Sequence, residues 1–219
     1  MRPIGIIAIK NEALATARKI GMEIAERMNF ETTDVSEAGF NTIDEWVESN
    51  DAAMVIIGID GKTKVQKMLD MTRGLRVPYI MVKPGQKFEC NSIALPVTRF
   101  LEDREKGPYC ASFARYFGGK VTIYKPKDFG SAAQQNIDTI CTLFDTREVQ
   151  YEIVQGKKDS SGIELEASRH SSAMCIISAS RDYGLDDIVF GPKERKIIKE
   201  AEMPVMVVNP RGDLYPLCD

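Results

Sequence analysis

Two stretches, "SAMCIIS" at residues 172–178 and "MPVMVVNPR" at residues 203–211, decide the fold, because each has a near copy earlier in the chain. The first is repeated as "AAMVIIG" at residues 52–58, and the second as "VPYIMVKPG" at residues 77–85, in the same order. Short, wholly aliphatic runs are typical of strands buried on both faces of a parallel sheet. Their ordered repetition indicates two related α/β units in tandem.

Further aliphatic runs alternate with helical patterns on both sides of these pairs. "IGIIAI" at residues 4–9 precedes an amphipathic helical pattern, and "IALPVT" at 93–98, "KVTIYKP" at 120–126 and "VQYEIVQG" at 149–156 do the same in the second part. Alternating helices and apolar strands predict a parallel α/β sheet. The first part lacks one helix and one strand that the second part contains.

The predicted fold class is therefore α/β, with two tandem Rossmann-like parallel-sheet units, the first of them reduced. The predicted boundaries are residues 1–86 for the reduced unit, 91–210 for the complete unit and 211–219 for a C-terminal tail.

The composition is that of an ordinary globular protein, with 43% hydrophobic and 28% charged residues and a formal net charge of -3. This mild acidity gives no electrostatic reason to expect nucleic acid or an anionic membrane as a partner. The N-terminal apolar stretch is too short for a signal peptide, and no run is long enough to span a bilayer. We therefore expect a cytoplasmic protein.

Residues 172–208 resemble the closing part of universal stress protein domains: an aliphatic strand, a glycine-rich loop, a Gly-Ser helix start and a final Pro-Val-x-Val-Val strand. Gly184, Gly191, Ala201 and Pro204 fall in the family's register without gaps. The resemblance implies the adenine nucleotide alpha hydrolase-like fold, a role in stress response, and ATP or AMP as the ligands to test.

ATP-binding members of that family carry Gly-x-x-Gly, nine residues, then Gly-Ser or Gly-Thr, so that backbone amides and a hydroxyl meet the phosphates. The corresponding positions here are Ser178, Arg181, Gly191 and Pro192, and three of the four depart from the pattern. Proline supplies neither the amide nor the hydroxyl. Arg181, with Lys193 close behind, could still pair with an anion.

The family's ATP-binding members also carry an acidic residue after the first strand, which helps to hold the nucleoside. The matching positions are Lys10 in the first unit and Thr98 in the second. Because neither is acidic, the resemblance implies altered or lost ligand chemistry, with Thr98 kept as a candidate contact.

The loop "VIIGIDGKTK" at residues 55–64 has some character of a phosphate-binding loop. The Walker pattern requires glycine at position 56, where the chain has Ile56. The loop instead matches the first half of the stress-protein motif, without its Gly-Ser half, and two interpretations stay open: a tight turn, or a weak anion or nucleotide site. The candidate ligand-binding residues of this loop are Gly58, Asp60, Gly61, Lys62 and Thr63.

The final strands, at residues 78–82 and 204–208, are candidates for self-association. Family members commonly pair this strand with its equivalent from another unit, so pairing is expected here within the chain or in a homodimer. Two charge runs, "LEDREKG" at 101–107 and "GPKERKIIKE" at 191–200, are interpreted as solvated faces. No residue set has the spacing of a metal site or of a catalytic triad.

The sequence thus predicts a universal stress protein-like binding or regulatory protein rather than an enzyme, with no metal and no catalytic residues. Two alternatives stay open: an ATP- or AMP-binding switch or weak hydrolase that uses the loops after the fourth-strand equivalents, and a purely structural dimerisation module.

Overall fold

The computed structural model describes residues 1–7, 12–170, 172–180 and 192–211. In this part of the chain, nine strands form one sheet in the order β2-β1-β3-β4-β9-β8-β5-β6-β7. The strands are β1 (Pro3–Ile7), β2 (Glu31–Asp34), β3 (Met54–Gly58), β4 (Tyr79–Val82), β5 (Ser92–Pro96), β6 (Lys120–Lys125), β7 (Tyr151–Gln155), β8 (Met174–Ser178) and β9 (Val205–Val208).

Helices cover both faces of the sheet because each carries one apolar stripe. Buried residues of α1, α5 and α6 share one core with one face of the sheet, and those of α3, α4, α7 and α8 share a second core with the other. The helices are α1 (Leu14–Met28), α2 (Glu37–Asn41), α3 (Ile43–Ser49), α4 (Val65–Thr72), α5 (Lys106–Phe117), α6 (Ser131–Thr146), α7 (Ile163–Ala167) and α8 (Lys193–Glu200), with a 3-10 helix at Leu101–Glu105.

Each half of the sheet is parallel within itself. The C-terminal half, β5 to β9, has the order β7-β6-β5-β8-β9, and the N-terminal half, β1 to β4, has the order β2-β1-β3-β4. Superposing the two orders leaves β7 without a counterpart in the N-terminal half. The predicted fold class, two tandem Rossmann-like units with the first reduced, is confirmed.

The two halves meet at an antiparallel seam between β4 and β9. Tyr79 pairs with Val207, Ile80 with Met206 and Met81 with Val205 in the ladder. This places the two final strands side by side within one chain, so each covers the edge of the other.

Two equivalent residues, one after each seam strand, tie the seam to the helices beyond it. Lys83 Nζ donates to the carbonyl oxygens of Lys199 and Ala201 at the end of α8, both at 2.7 Å. Asn209 Nδ2 donates to the carbonyl oxygen of Thr72, the last residue of α4, at 2.6 Å, and to that of Leu75 in the turn that follows, at 3.0 Å. Each half therefore caps the last helix of the other, because the final carbonyls of a helix have no partner within it.

Strand β2 differs from the apolar strands on which the fold prediction rests. All four of its residues are exposed, whereas every residue of β1, β3 and β4 is buried. As an edge strand outside the core, β2 tolerates polar residues that a central strand cannot. Among the described helices, none combines the length and the apolar content that crossing a bilayer requires.

Candidate functional site

The carboxyl ends of β5 and β8 lie where an open α/β sheet usually binds its ligand. These strands are neighbours, but the chain leaves β5 toward β6 on one side, while β8 leads to β9 on the other. Where such connections diverge, the loops leave a crevice above the strands. Thr98 follows β5 and Ser178 ends β8, so the structure brings these two candidate residues together at the strand ends, where both are buried.

A carboxylate that the sequence analysis missed links the two. Asp103 Oδ2 accepts hydrogen bonds from the backbone N–H of Thr98 and from its hydroxyl, the latter at 2.7 Å. Asp103 Oδ1 accepts from the hydroxyl of Ser178 at 3.0 Å. The acidic group absent from position 98 is thus supplied from five residues further along the chain.

A buried ammonium neutralises that carboxylate. Lys106 Nζ lies 2.7 Å from Asp103 Oδ1 and also donates to the carbonyl oxygen of Pro96. The two residues are 0% and 2% exposed. Burial would raise the pKa of Asp103, but the charge and hydrogen bond of Lys106 and the hydrogen bonds from Thr98 outweigh it, so this pKa lies below its usual value.

The interpretation of residues 101–107 as a solvated face is therefore wrong. The 3-10 helix at Leu101–Glu105 runs into α5, and a spacing of three residues directs Asp103 and Lys106 inward together. The signal was present in the sequence as opposite charges three residues apart, shortly after a buried strand. Composition alone does not separate a solvated pair from a buried one.

The second charge run is likewise partly buried over its described residues, 192–200. Lys193 Nζ lies 2.8 Å from Glu164 Oε2, and Glu194 accepts a hydrogen bond from the backbone N–H of Ser180. The carboxylates of Glu164 and Glu194 are 3% and 2% exposed. Burial lowers the pKa of Lys193, but the charge and hydrogen bond of Glu164 raise it by more, so this pKa lies above its usual value. Burial raises the pKa of Glu194.

Arg181 and Gly191, the remaining candidates of the C-terminal half, lie outside the described residues, as does Lys10. Pro192 is the N-cap position of α8, and its side chain makes no capping hydrogen bond. This agrees with the chemistry expected of proline at the position where ATP-binding members have Ser or Thr.

In the N-terminal half, the loop after β3 closes on itself. Asp60 Oδ1 accepts from the Thr63 hydroxyl at 2.8 Å and from the backbone N–H of Lys62 at 2.9 Å. The backbone N–H of Asp60 donates to the Thr63 hydroxyl oxygen at 3.0 Å. The Thr63 hydroxyl is the main cause of the lowered pKa of Asp60. The N–H of Lys62 and the hydroxyl of Thr63, two donors that a phosphate could use, are thus bonded within the turn.

Gly61 has no geometric need to be glycine. Its φ angle lies outside the left-handed region, and a Cβ added there meets no atom within 4 Å. A cavity of about 330 Å³ beside the loop is lined by Asp60, Gly61 and Thr63 together with Lys83 and Lys199. Of the two lysines that line this cavity, Lys83 already binds two carbonyl oxygens.

The two candidate loops, after β3 and after β8, lie on opposite sides of the sheet as seen along the strands, because their strands point in opposite directions. The strands of each half are parallel, and the halves are joined antiparallel, so the carboxyl end of β3 points away from that of β8. The structure therefore gathers Gly58 to Thr63 at one edge, and Thr98, Ser178 and Lys193 at the other.

Comparison with solved structures adds the final observation. The structure is similar to that of a universal stress protein from Archaeoglobus fulgidus DSM 4304, with a TM-score of 0.61 at 13% identity, over 97% of this chain and 88% of that one. A functionally unknown protein from Pseudomonas aeruginosa PAO1 gives a TM-score of 0.55 at 13% identity, over 95% of this chain and 82% of that one. The chain has the universal stress protein fold.

This likeness extends to the fold alone, because sequence identity is low. No family profile matches the sequence, and no curated protein matches it either. What the universal stress protein fold does in this chain must therefore be argued from its own side chains.

Proposed function

We propose that the chain is a tandem universal stress protein-like binding or regulatory protein of the cytoplasm, with degenerate ATP motifs and no efficient ATP binding or catalysis. The observation that carries this proposal is the buried cluster at the carboxyl ends of β5 and β8. There the Asp103 carboxylate binds Thr98, Ser178 and Lys106 at once.

The cluster opposes a nucleotide at these strand ends in two ways. The Asp103 carboxylate already accepts three protein hydrogen bonds and an ammonium, so it has little capacity left for a ribose. A ligand that drew Asp103 away from Lys106 would also leave the Lys106 ammonium buried without its counter-charge, which is unfavourable. The absence of the Gly-Ser helix start, where Pro192 stands, supports the same conclusion.

The seam bears on the third alternative, a dimerisation module. Strands β4 and β9 are hydrogen-bonded to each other within the chain. The edges of β4 and β9 that would otherwise join two chains are thus paired within one chain. This pairing favours a chain that contains both halves of the pseudo-dimer over a module that serves only to form homodimers.

The experiment compares ATP with inorganic tripolyphosphate, which has the phosphate chain but no nucleoside. We expect ATP with Mg²⁺ to raise the unfolding temperature no further than tripolyphosphate at equal ionic strength, and adenosine to leave it unchanged. Only a ligand that prefers the folded state raises this temperature, so the difference between the two probes isolates nucleoside recognition. ATP binding at least about tenfold tighter than tripolyphosphate, a gap of about 1.4 kcal/mol, would sink the proposal.

A further inference from the structure

A cleft of about 830 Å³ lies between α7 and α8 and reaches the loops that follow β6 and β7. Neither Thr98 nor Ser178 is among the described residues that line this cleft. The cleft is therefore distinct from the buried cluster at the ends of β5 and β8. Six lining side chains are cationic and two are carboxylates. The cationic residues are Lys127, Lys157, Lys158, Arg169, Lys193 and Lys196.

This excess of positive charge is local, because the whole chain has a formal net charge of -3. Two of the six cations are paired: Lys193 with Glu164, and Arg169 with Glu200. In the described part of the chain, no carboxylate lies at ion-pair distance from the other four, all of which are exposed lysines.

The two carboxylates of the cleft hold its loops in place. Glu166 accepts from the backbone N–H groups of Lys157 and Lys158, at 3.0 and 2.8 Å, and so fixes the turn that carries both lysines. Asp159 accepts from the Ser161 hydroxyl at 2.7 Å at the start of α7. Neither carboxylate is an ion-pair partner of the four lysines.

A second set of contacts locks the β6 loop to the β7 loop. The backbone N–H of Lys127 donates to the carbonyl oxygen of Lys158 at 2.8 Å. Asp128 Oδ1 accepts from both the backbone N–H and the hydroxyl of Ser160, at 2.7 and 2.8 Å. Lysines from two different loops are therefore preorganised over one cleft, which lowers the cost of gathering them around a ligand.

The floor of the cleft is apolar where α7 faces α8. Leu165 and Ile197 line it, and His170 at its rim stacks on Tyr124 with ring centroids 5.1 Å apart. A concave site with clustered like charges above low-dielectric walls concentrates its field on an oppositely charged ligand.

We propose that this cleft binds a small polyanion with two or more phosphate groups, held by Lys127, Lys157, Lys158 and Lys196. Several unpaired ammonium groups suit a ligand with several charges, since one phosphate would leave most of them repelling each other. The cleft is a bounded concavity and the protein as a whole is acidic, which favours a compact ligand over a nucleic acid backbone. The site does not depend on the strand-end crevice or on nucleoside recognition.

Calorimetric titration with inorganic tripolyphosphate at low salt tests the site. We expect the natural sequence to bind, and K157Q/K158Q to bind at least about tenfold more weakly, because two of the four charges are removed. The matched control is K19Q/K67Q, which removes two exposed lysines from α1 and α4 and has the same net charge. Its affinity should stay close to that of the natural sequence.

K196Q provides an independent variant on a different element, should the loop variant fold poorly, and it should weaken binding in the same direction. Absence of binding at millimolar tripolyphosphate, equal losses in test and control variants, or an unchanged affinity in K157Q/K158Q would each overturn the site. A single-stranded oligonucleotide that displaces tripolyphosphate at lower concentration would overturn the assignment to a small ligand. None of these results is the one that would contradict the proposed function. That proposal fails only if ATP binds more tightly than tripolyphosphate.

Discussion

The two strand-end loops of this molecule use the same chemistry in opposite environments. In the N-terminal half, Asp60 accepts from a threonine hydroxyl and a backbone N–H in a partly exposed turn. In the C-terminal half, Asp103 also accepts from a threonine hydroxyl and a backbone N–H, but it is 2% exposed and paired with Lys106. Water can replace the partners of the first carboxylate but not those of the second.

The difference teaches that burial, more than the hydrogen-bond pattern, sets what each loop contributes. A buried charge that loses its partner keeps its full desolvation cost, whereas an exposed one is resolvated. The following variants sharpen or break this comparison, from the largest expected effect to the smallest.

Lys106→Met should have the largest effect. It keeps an unbranched side chain of similar size but leaves the Asp103 carboxylate buried and unpaired, so we expect the free energy of unfolding to fall by about 3 to 5 kcal/mol in chemical denaturation. The matched control, Lys120→Met, breaks the half-exposed ion pair with Glu152 and should change stability little.

The double variant D103N/K106M should regain part of the loss, because the buried carboxylate is neutralised together with its partner. Equal effects of Lys106→Met and Lys120→Met, or strict additivity in the double variant, would show that burial does not distinguish the two regions.

Glu194→Gln should stabilise the protein at alkaline pH, in contrast to Lys106→Met. Burial raises the folded-state pKa of Glu194, so between its unfolded pKa and that raised value the folded state holds the extra proton. The natural sequence therefore loses stability as pH rises through this window, while the glutamine variant does not. Its carbonyl oxygen keeps the bond from the Ser180 N–H.

Unfolding free energies measured from pH 4 to pH 8 test this sign. The gain should be near zero at pH 4 and should grow toward pH 8, since the folded state must then give up the proton that Glu194 holds above its unfolded pKa. Glu202→Gln on the exposed surface is the control and should show no such trend. A destabilised Glu194→Gln variant at pH 8 would contradict the assignment of Glu194 as a buried charge without full compensation.

Gly61→Ala should have the smallest effect, within about 1 kcal/mol and toward greater stability, because alanine restricts the unfolded chain and meets no clash in the folded one. Gly118→Ala is the matched contrast. Gly118 has a φ of 66° at the end of α5, where a side chain costs about 1 kcal/mol or more. Thermal unfolding compares the two, and a strong loss in Gly61→Ala would mean that this loop needs its glycine.

The sequence was sufficient for the sheet and insufficient for the buried cluster, for a physical reason. Runs such as residues 52–58 are aliphatic throughout, and only a strand covered on both faces accommodates them. The run at 101–107 has charges that suit solvent equally well, and only the path of the 3-10 helix across the strand ends shows that Asp103 and Lys106 face inward. Position 98 alone suggested a lost acidic group, while the chain supplies one from position 103.

The partner of the final strands was also open in the sequence, since a strand edge carries no information on whether its neighbour belongs to the same chain. The α7–α8 cleft was missed for a related reason. Its lysines are dispersed over two loops and a helix, and none forms a motif along the chain. Only the contacts between those loops bring them to one place.

The β4–β9 seam can form only late in synthesis, because its two strands are far apart along the chain. Strand β4 is made before the middle of the chain, whereas β9 is complete only at Val208. At typical elongation rates of about 5 to 20 residues per second, the edge of β4 waits for on the order of ten seconds before its partner leaves the ribosome. Through that interval β4 has no β9 to pair with, and neighbouring nascent chains on the same message carry the same strand. In a homodimer this pairing would depend on two chains meeting. In this chain it depends on how long β4 waits for β9 of the same polypeptide.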